Sequence, residues 1–253
     1  MIIPNRQQYV AFSGGKGSTA LALLFPNATP VFADTGWEHG PVYEHIAKFE
    51  QVTGRQVVRI INEKYPGGIP QYIRHSKFFP SHGARYCTDK FKTQPMNKYL
   101  SDRLPAELLI GLRADEPEEM RPGNLSEIDG LTIRYPFREM GIRLADVLRI
   151  CLGYDLLPHY PAYMARGGCK GCFYKRKAQV TAMVHLAPDD ANELQQLEEE
   201  VQDERGKFFY MFGNAGMSIA DIKKQPLLFS EDEVYREVAL DRLGANCGLF
   251  CRR

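Results

Sequence analysis

The chain has 253 residues, a formal net charge of +1 at neutral pH, 44% hydrophobic and 25% charged residues. That length suits one large α/β domain, or a main domain with a smaller appendage, and so balanced a charge does not point to a generic nucleic-acid binder. No stretch reaches the length of a membrane span and Met1–Arg6 lacks a signal-peptide core, so a cytoplasmic protein without a membrane partner is expected.

In chain order, residues 9–12 form a short apolar strand that empties into Ser13-Gly14-Gly15-Lys16-Gly17-Ser18, and a helix follows over 18–25. A strand is expected at 31–33, running into Asp34-Thr35-Gly36-Trp37-Glu38. A helix over 41–53 stops at Gly54, and a third strand covers 57–61. Residues 62–84, broken by Pro66-Gly67-Gly68 and Pro80-Ser81-His82-Gly83, read as a short helix within mobile, lid-like loops. A helix near 89–103 precedes a strand at 108–112, an acidic loop fills 117–130, and a further strand covers 132–135. Beyond 140 the pattern is mostly helical, with helices at 143–152, 188–204 and 231–243, the last with Ser230 as N-cap and Glu233 at the capping-box position.

The β-α-β-α-β series predicts an open, mainly parallel sheet flanked by helices, a Rossmann-like α/β fold with a mostly helical C-terminal appendage. The shift in composition divides the chain into a nucleotide-binding core, 1–140, and a helical, cysteine-containing region, 141–253. The two are compatible with one compact unit.

The glycine-rich turn sits where a strand gives way to a helix N-terminus, the position at which open parallel sheets bind anions. Gly14 and Gly15 let backbone approach a phosphate, Lys16 adds a point charge, and Ser13, Ser18 and Thr19 add hydroxyls. It is not a Walker loop, because Lys16 is followed by glycine and the G-x-x-x-x-G-K spacing is missing. Of the six cysteines, Cys151 falls in an apolar helical pattern and reads as core. Cys169 and Cys172 form a C-x-x-C pair, which by itself fits half of a zinc site or a redox dithiol.

Four segments together resemble one known set: residues 13–18; Asp34-Thr35-Gly36-Trp37-Glu38; Arg85-Tyr86-Cys87-Thr88-Asp89-Lys90-Phe91-Lys92 with Pro95; and Gly111-Leu112-Arg113-Ala114-Asp115-Glu116 with Arg121. A fifth, Pro161-Ala162-Tyr163 through Gly168-Cys169-Lys170-Gly171-Cys172, follows in the same order. They resemble the PAPS reductase-like branch of the PP-loop ATP pyrophosphatases, whose fold is of the adenine nucleotide α-hydrolase type. The resemblance implies that Ser13, Gly14, Gly15, Lys16, Gly17 and Ser18 hold the phosphates of ATP or a related adenine nucleotide, with Mg²⁺ as a companion. It places Asp34, Thr35 and Gly111 beside the nucleotide, and makes Lys16, Arg85, Lys92 and Arg113 cations for an anionic substrate. Where the family commonly has aspartate, this loop has Gly17, a departure that bears on Mg²⁺ handling and on ATP cleavage.

By the same resemblance Cys87, Cys169 and Cys172 hold a [4Fe–4S] cluster, with Cys251 or alternatively Cys247 as the fourth ligand, since Thr88 stands where related enzymes have a second cysteine. Zinc is the alternative metal. The tail Asn246-Cys247-Gly248-Leu249-Phe250 keeps part of the motif by which sulfonucleotide reductases present a nucleophilic cysteine, which makes Cys247 a catalytic candidate. Three functions are implied: ATP-dependent sulfur transfer, with a nucleic acid or sulfur carrier as acceptor; true sulfonucleotide reduction with a thioredoxin-like partner; or a silent nucleotide- or nucleic-acid-binding module. Lys170, Lys175, Arg176 and Lys177 are basic enough to touch a phosphate backbone, although a solvated face explains them better.

Overall fold

A computed structural model describes residues 6–116, 128–164, 167–202, 210–213, 216–226, 230 and 232–233. Arg121, Cys247, Cys251, most of the expected acidic loop and nearly all of the expected helix 231–243 lie outside these. Of that helix's start, Ser230 and Glu233 are described, and they make the expected box: Ser230 N–H donates to Glu233 Oε2 at 2.8 Å and Glu233 N–H to Ser230 Oγ at 3.3 Å.

The sheet has five strands: β1 (Gln7–Phe12), β2 (Thr29–Ala33), β3 (Val58–Ile60), β4 (Ala106–Leu109) and β5 (Leu131–Arg134). Their order is β3-β2-β1-β4-β5 and every pairing is parallel. The chain moves outward from β1 to β3, then crosses to the other side of β1 for β4 and β5. The order therefore reverses between β1 and β4, and their carboxyl ends border the crevice where such sheets take ligands. Central strands covered on both faces need no apolar alternation, and Tyr9, Val10, Ala11 and Phe12 are all buried.

Helices α1 (Lys16–Leu24), α2 (Gly40–Thr53), α3 (Gly68–Ser76), α5 (Gln94–Ser101), α7 (Leu144–Gly153), α8 (Lys177–Leu186) and α9 (Pro188–Gln202) make up the layers, with short α4 (Tyr86–Thr88), α6 (Pro136–Glu139) and α10 (Ile219–Lys224). Three differences from the sequence reading have physical causes. The helix expected over 89–103 is α4, a π-helical turn at Asp89–Thr93 and then α5, and the wider π turn carries Phe91 fully into the core. The lid-like stretch is anchored: α3 buries Ile69 and Ile73, and a Cβ on Gly68 would stand 2.1 Å from the Thr35 carbonyl oxygen. Helix α8 escapes periodic detection because Gln179, Val180, Ala182, Met183 and Val184 are all buried, leaving no single apolar stripe.

The region after residue 141 packs into the same cores as the first half of the chain. Val147, Cys151, Leu156, Tyr160 and Met164 join Phe12, Leu21 and Val42 in one cluster. Val180, Met183, Leu194 and Leu197 join Trp37, Ile69, Ile73 and Phe91 in another. Buried Glu198 of α9 accepts the backbone N–H groups of Met211 at 2.9 Å and Ile219 at 2.8 Å, fastening two loops to this layer. Among the described residues no helix is long and apolar enough to cross a membrane.

Candidate functional site

The loop after β1 is braced from within. Gly15 is the N-cap of α1 and makes no side-chain cap bond, so the helix begins with the arrangement from which helix N-termini bind anions. Gly14 has φ +69°, and a Cβ there would stand 3.0 Å from Val42 Cγ1, which reserves the position for glycine. Ser18 is largely structural: its hydroxyl accepts Ser13 N–H at 3.0 Å and donates to the Gly15 carbonyl at 3.0 Å. The appendage closes the loop from behind, with Tyr160 Oη donating to the Gly14 carbonyl at 2.9 Å and the Cys151 thiol to the Lys16 carbonyl at 3.4 Å. Cys151 is fully buried, and burial pushes its thiol up to about 12, as expected of a core residue. Across the crevice a Cβ on Gly111 would meet the Gly17 carbonyl oxygen at 3.0 Å, so glycine there lets the extension of β4 pass α1.

At the end of β2, Asp34 Oδ1 accepts the Gly36 N–H at 2.9 Å and Tyr43 Oη at 2.8 Å, which turns the chain and fixes a half-exposed carboxylate one strand from the loop. Thr35 is fully buried and points elsewhere. Its Oγ1 donates to Glu38 Oε1 at 3.0 Å and lies 3.5 Å from Cys169 Sγ, whose thiol also reaches Glu38 Oε1 at 3.5 Å. A short antiparallel stitch holds the C-x-x-C segment here: Lys170 N–H donates to the Trp37 carbonyl at 2.8 Å and His39 N–H to the Gly168 carbonyl at 3.3 Å.

Cys87, Cys169 and Cys172, distant in sequence, line one pocket together with Lys92, Thr88 and Trp37. Burial raises the Cys87 thiol and raises Cys169 well above its ordinary value, Lys92 opposing both. Arg85 lies beside the pocket, its guanidinium 5.7 Å from the ring centroid of the lining residue Tyr174 and its buried Nε without a hydrogen-bond acceptor among the described residues. Three thiols lining one pocket are the right kind of donor for a thiolate-bound metal. Their spacing is not closed around an ion, since among the described residues no three His, Cys, Asp or Glu side chains form a metal-sized group.

Two expected cations are neutralised internally. Arg113 is 2% exposed, with Nε donating to Asp115 Oδ1 at 2.8 Å and Nη1 3.4 Å from Glu116 Oε1. Lys170 pairs with Asp190 at 3.0 Å and Glu193 at 2.6 Å, and Lys175 Nζ donates to His39 Nε2 at 3.0 Å, so the basic run is partly inward-facing. The His39 tautomer follows from its partners: Nδ1–H donates to Asp190 Oδ2 at 2.7 Å while Nε2 accepts from the ammonium. Burial and Lys175 hold this ring down to about 4, outweighing Asp190, so it is neutral at pH 7.

The structure thus gathers residues 13–18, Asp34 and Gly111 at the crevice, and Cys87, Lys92, Cys169 and Cys172 in the neighbouring pocket with Arg85 beside it. Tyr160, Trp37, Glu38 and Tyr174 also belong to these sites. Trp37 and Glu38 stand inside a recognisable motif, whereas nothing in the sequence signals that Tyr160 reaches Gly14.

The family profile of the phosphoadenosine phosphosulfate reductase domain matches residues 7–135, half of the chain and the whole sheet. The chain belongs to this family. The match ends before the C-x-x-C pair, so the family's sequence pattern accounts for Cys87 and Lys92 but not for the other two thiols of the pocket. A protein of Escherichia phage lambda, described as the uncharacterized nin region protein ORF290, is 29% identical over 145 residues, 45% of this chain and 50% of its own length. The chain thus spans about half of the curated relative it matches. A solved phosphoadenylyl-sulfate (PAPS) reductase from Candida auris, in complex with phosphate, is similar at a TM-score of 0.44 and 15% identity over 62% of this chain and 76% of that one.

Proposed function

We propose that this protein is an adenine-nucleotide enzyme of sulfur chemistry. The loop 13–18 holds the phosphates of ATP, with Lys16 as the point charge, and sulfur is handled at the pocket of Cys87, Cys169 and Cys172. The observation that carries the reading is the convergence of these three thiols and Lys92 in one pocket next to the end of β2, one strand away from the anion loop. Lys92 and Arg85 lower the cost of negative charge beside the thiols, which anionic sulfur or phosphate groups require. A [4Fe–4S] cluster or a zinc ion on the three thiolates, with Cys251 or Cys247 as fourth ligand, belongs to this proposal, and no chemical step here depends on it. The acceptor is a nucleic acid or a sulfur carrier.

Sulfonucleotide reduction is the second reading, favoured by the family to which the chain belongs. In it a Cys247 thiolate attacks the sulfur of PAPS or adenosine phosphosulfate, the nucleotide leaves, and a thioredoxin-like dithiol releases sulfite. The test is direct. Pyrophosphate release from ATP that disappears in Lys16→Ala supports the first reading. Sulfite release from PAPS that disappears in Cys247→Ser supports the second. Tight nucleotide binding without turnover of either nucleotide refutes both and leaves a binding module. Iron, sulfide and zinc analysis after anaerobic purification decides the metal, and a metal-free protein that retains turnover removes the metal from the proposal.

A further inference from the structure

The stretch between β3 and α5 carries a charge that the chain as a whole does not. Residues 62–92, all of them described, hold six lysines and arginines against two carboxylates, in a chain whose net charge is +1. Both carboxylates are engaged: Glu63 pairs with Lys98 at 2.5 Å, and Asp89 Oδ2 accepts Gln94 Nε2 at 2.8 Å. Some of the cations are engaged too, Arg74 with Glu200 at 2.6 Å and Lys92 at the thiol pocket. Lys64 and Lys90 make no ion pair among the described residues.

What holds these two lysines is aromatic. Lys64 Nζ stands 5.5 Å from the Tyr65 ring centroid, and Lys90 Nζ stands 5.5 Å from that of Tyr72. The two rings meet edge-on at 5.0 Å, which puts both ammoniums on one short surface. The row extends at both ends: His75 lies 5.7 Å from Tyr65, Tyr86 lies 4.6 Å from Tyr72, and Phe78 lies 6.4 Å from Tyr86. The three tyrosines are half-buried, with fully buried Phe91 5.9 Å from Tyr72, whereas His75 and Phe78 at the ends are exposed, Phe78 at 39%. The row reaches the thiol pocket, since Tyr86 precedes Cys87 and the neighbouring Arg85 packs on the lining residue Tyr174.

Lysines without a carboxylate partner, set among rings, suit a polyanion that also offers aromatic faces. A duplex hides its bases, and an acidic protein surface offers carboxylates without a ring at each one, so the combination favours an unpaired strand. We propose that the row from His75 to Phe78 is a docking surface for single-stranded nucleic acid, with Lys64 and Lys90 on its phosphates and the exposed end rings on its bases, and that it leads the strand to the thiol pocket. The strand's role as sulfur acceptor rests on the function proposed above, whereas the docking rests on this surface alone.

The test titrates the full chain into a fluorescein-labelled oligothymidylate, and into a duplex of the same length, across a range of salt concentrations. Tighter binding of the single strand is expected. Lys64→Gln/Lys90→Gln is expected to weaken it about tenfold or more at low salt and to reduce the slope of log affinity against log salt by about 1.4, the loss of two phosphate contacts. His75→Ala/Phe78→Ala, at exposed positions, is expected to weaken it about fivefold or more at every salt concentration, the loss of stacking, with the slope unchanged. Arg149→Gln, on α7, serves as the control for general charge and is expected to leave binding within about twofold. ATP binding is expected to be unchanged in all three variants. Absence of strand binding at low salt, equal or tighter binding of the duplex, an unchanged slope in the lysine variant, or full binding by the ring variant overturns the proposal. Displacement of the strand by polyglutamate as effectively as by unlabelled oligothymidylate also overturns it, and identifies a surface for acidic proteins. Loss of ATP turnover with strand binding intact counts against the proposed function and not against this surface.

Discussion

A Cβ on Gly171 would lie 1.9 Å from Cη2 of Trp37. The indole fills the space that any larger residue at position 171 would need, so the residue before Cys172 is set by a side chain more than a hundred positions earlier. Gly171→Ala is therefore expected to destabilise the protein by about 3 kcal/mol, at the upper end of overpacking costs. The clash needs both partners. In a Trp37→Leu background the same substitution is expected to cost less than about 1 kcal/mol. Denaturant melts of the four proteins in this double-mutant cycle check it, and additive effects would show that the contact is not the cause.

Trp37 is the one tryptophan of the chain and it lines the thiol pocket. Its fluorescence is therefore expected to report on that pocket alone. Modification of Cys87 or Cys172, or loading with iron or zinc, should change emission intensity, and Cys151→Ala should leave the response intact because that thiol faces α1. A titration that leaves emission unchanged while thiols are consumed would contradict this placement.

Tyr160→Phe removes the hydroxyl that holds the Gly14 carbonyl. Loss of one buried hydrogen bond is expected to cost about 1 kcal/mol of stability. Because the bond supports the anion loop, ATP affinity should fall along with it, several-fold, in equilibrium binding. Gly14→Ala should be worse on both counts, since φ +69° and the Val42 contact penalise any side chain.

His45 is buried, its Nε2 lies 2.9 Å from Thr19 Oγ1, and burial with nearby Lys48 lowers its pKa to about 4. In the unfolded chain the ring takes up a proton near pH 6.5, while in the folded protein it resists protonation until about 4. Stability from this group is therefore complete above pH 6.5 and is lost as pH falls toward 4, by roughly 3 kcal/mol. His39 contributes in the same direction. Urea melts at pH 7.5 and 5 should show the loss, and His45→Gln should reduce the slope without removing it.

Much of the architecture was readable without coordinates. The turn between β1 and α1, the parallel sheet implied by successive crossovers, and the Gly54 stop of α2 all follow from local rules: glycine at positive φ, apolar runs of strand length and helical periodicity. The motif residues at strand ends could be placed at the carboxyl edge for the same reason. The broken helix over 86–101 and α8 could not, because neither a π turn nor a helix whose five buried residues 179, 180 and 182–184 run nearly consecutively leaves a periodic trace.

What the sequence determined alone is the set of groups: a phosphate-type loop, cations at motif positions, and three cysteines in two distant segments. Which of them face each other was decided by tertiary contacts. Arg113 looks like a substrate cation until Asp115 and Glu116 close around it, and Thr35 looks like a nucleotide contact until its hydroxyl is found against Cys169. The first outcome is a local fold of the turn after β4 onto itself, and the second comes from the meeting of the β2 end with the segment 167–175, a contact between residues far apart in the chain. Local chemistry specifies what a residue offers, and only packing specifies to whom.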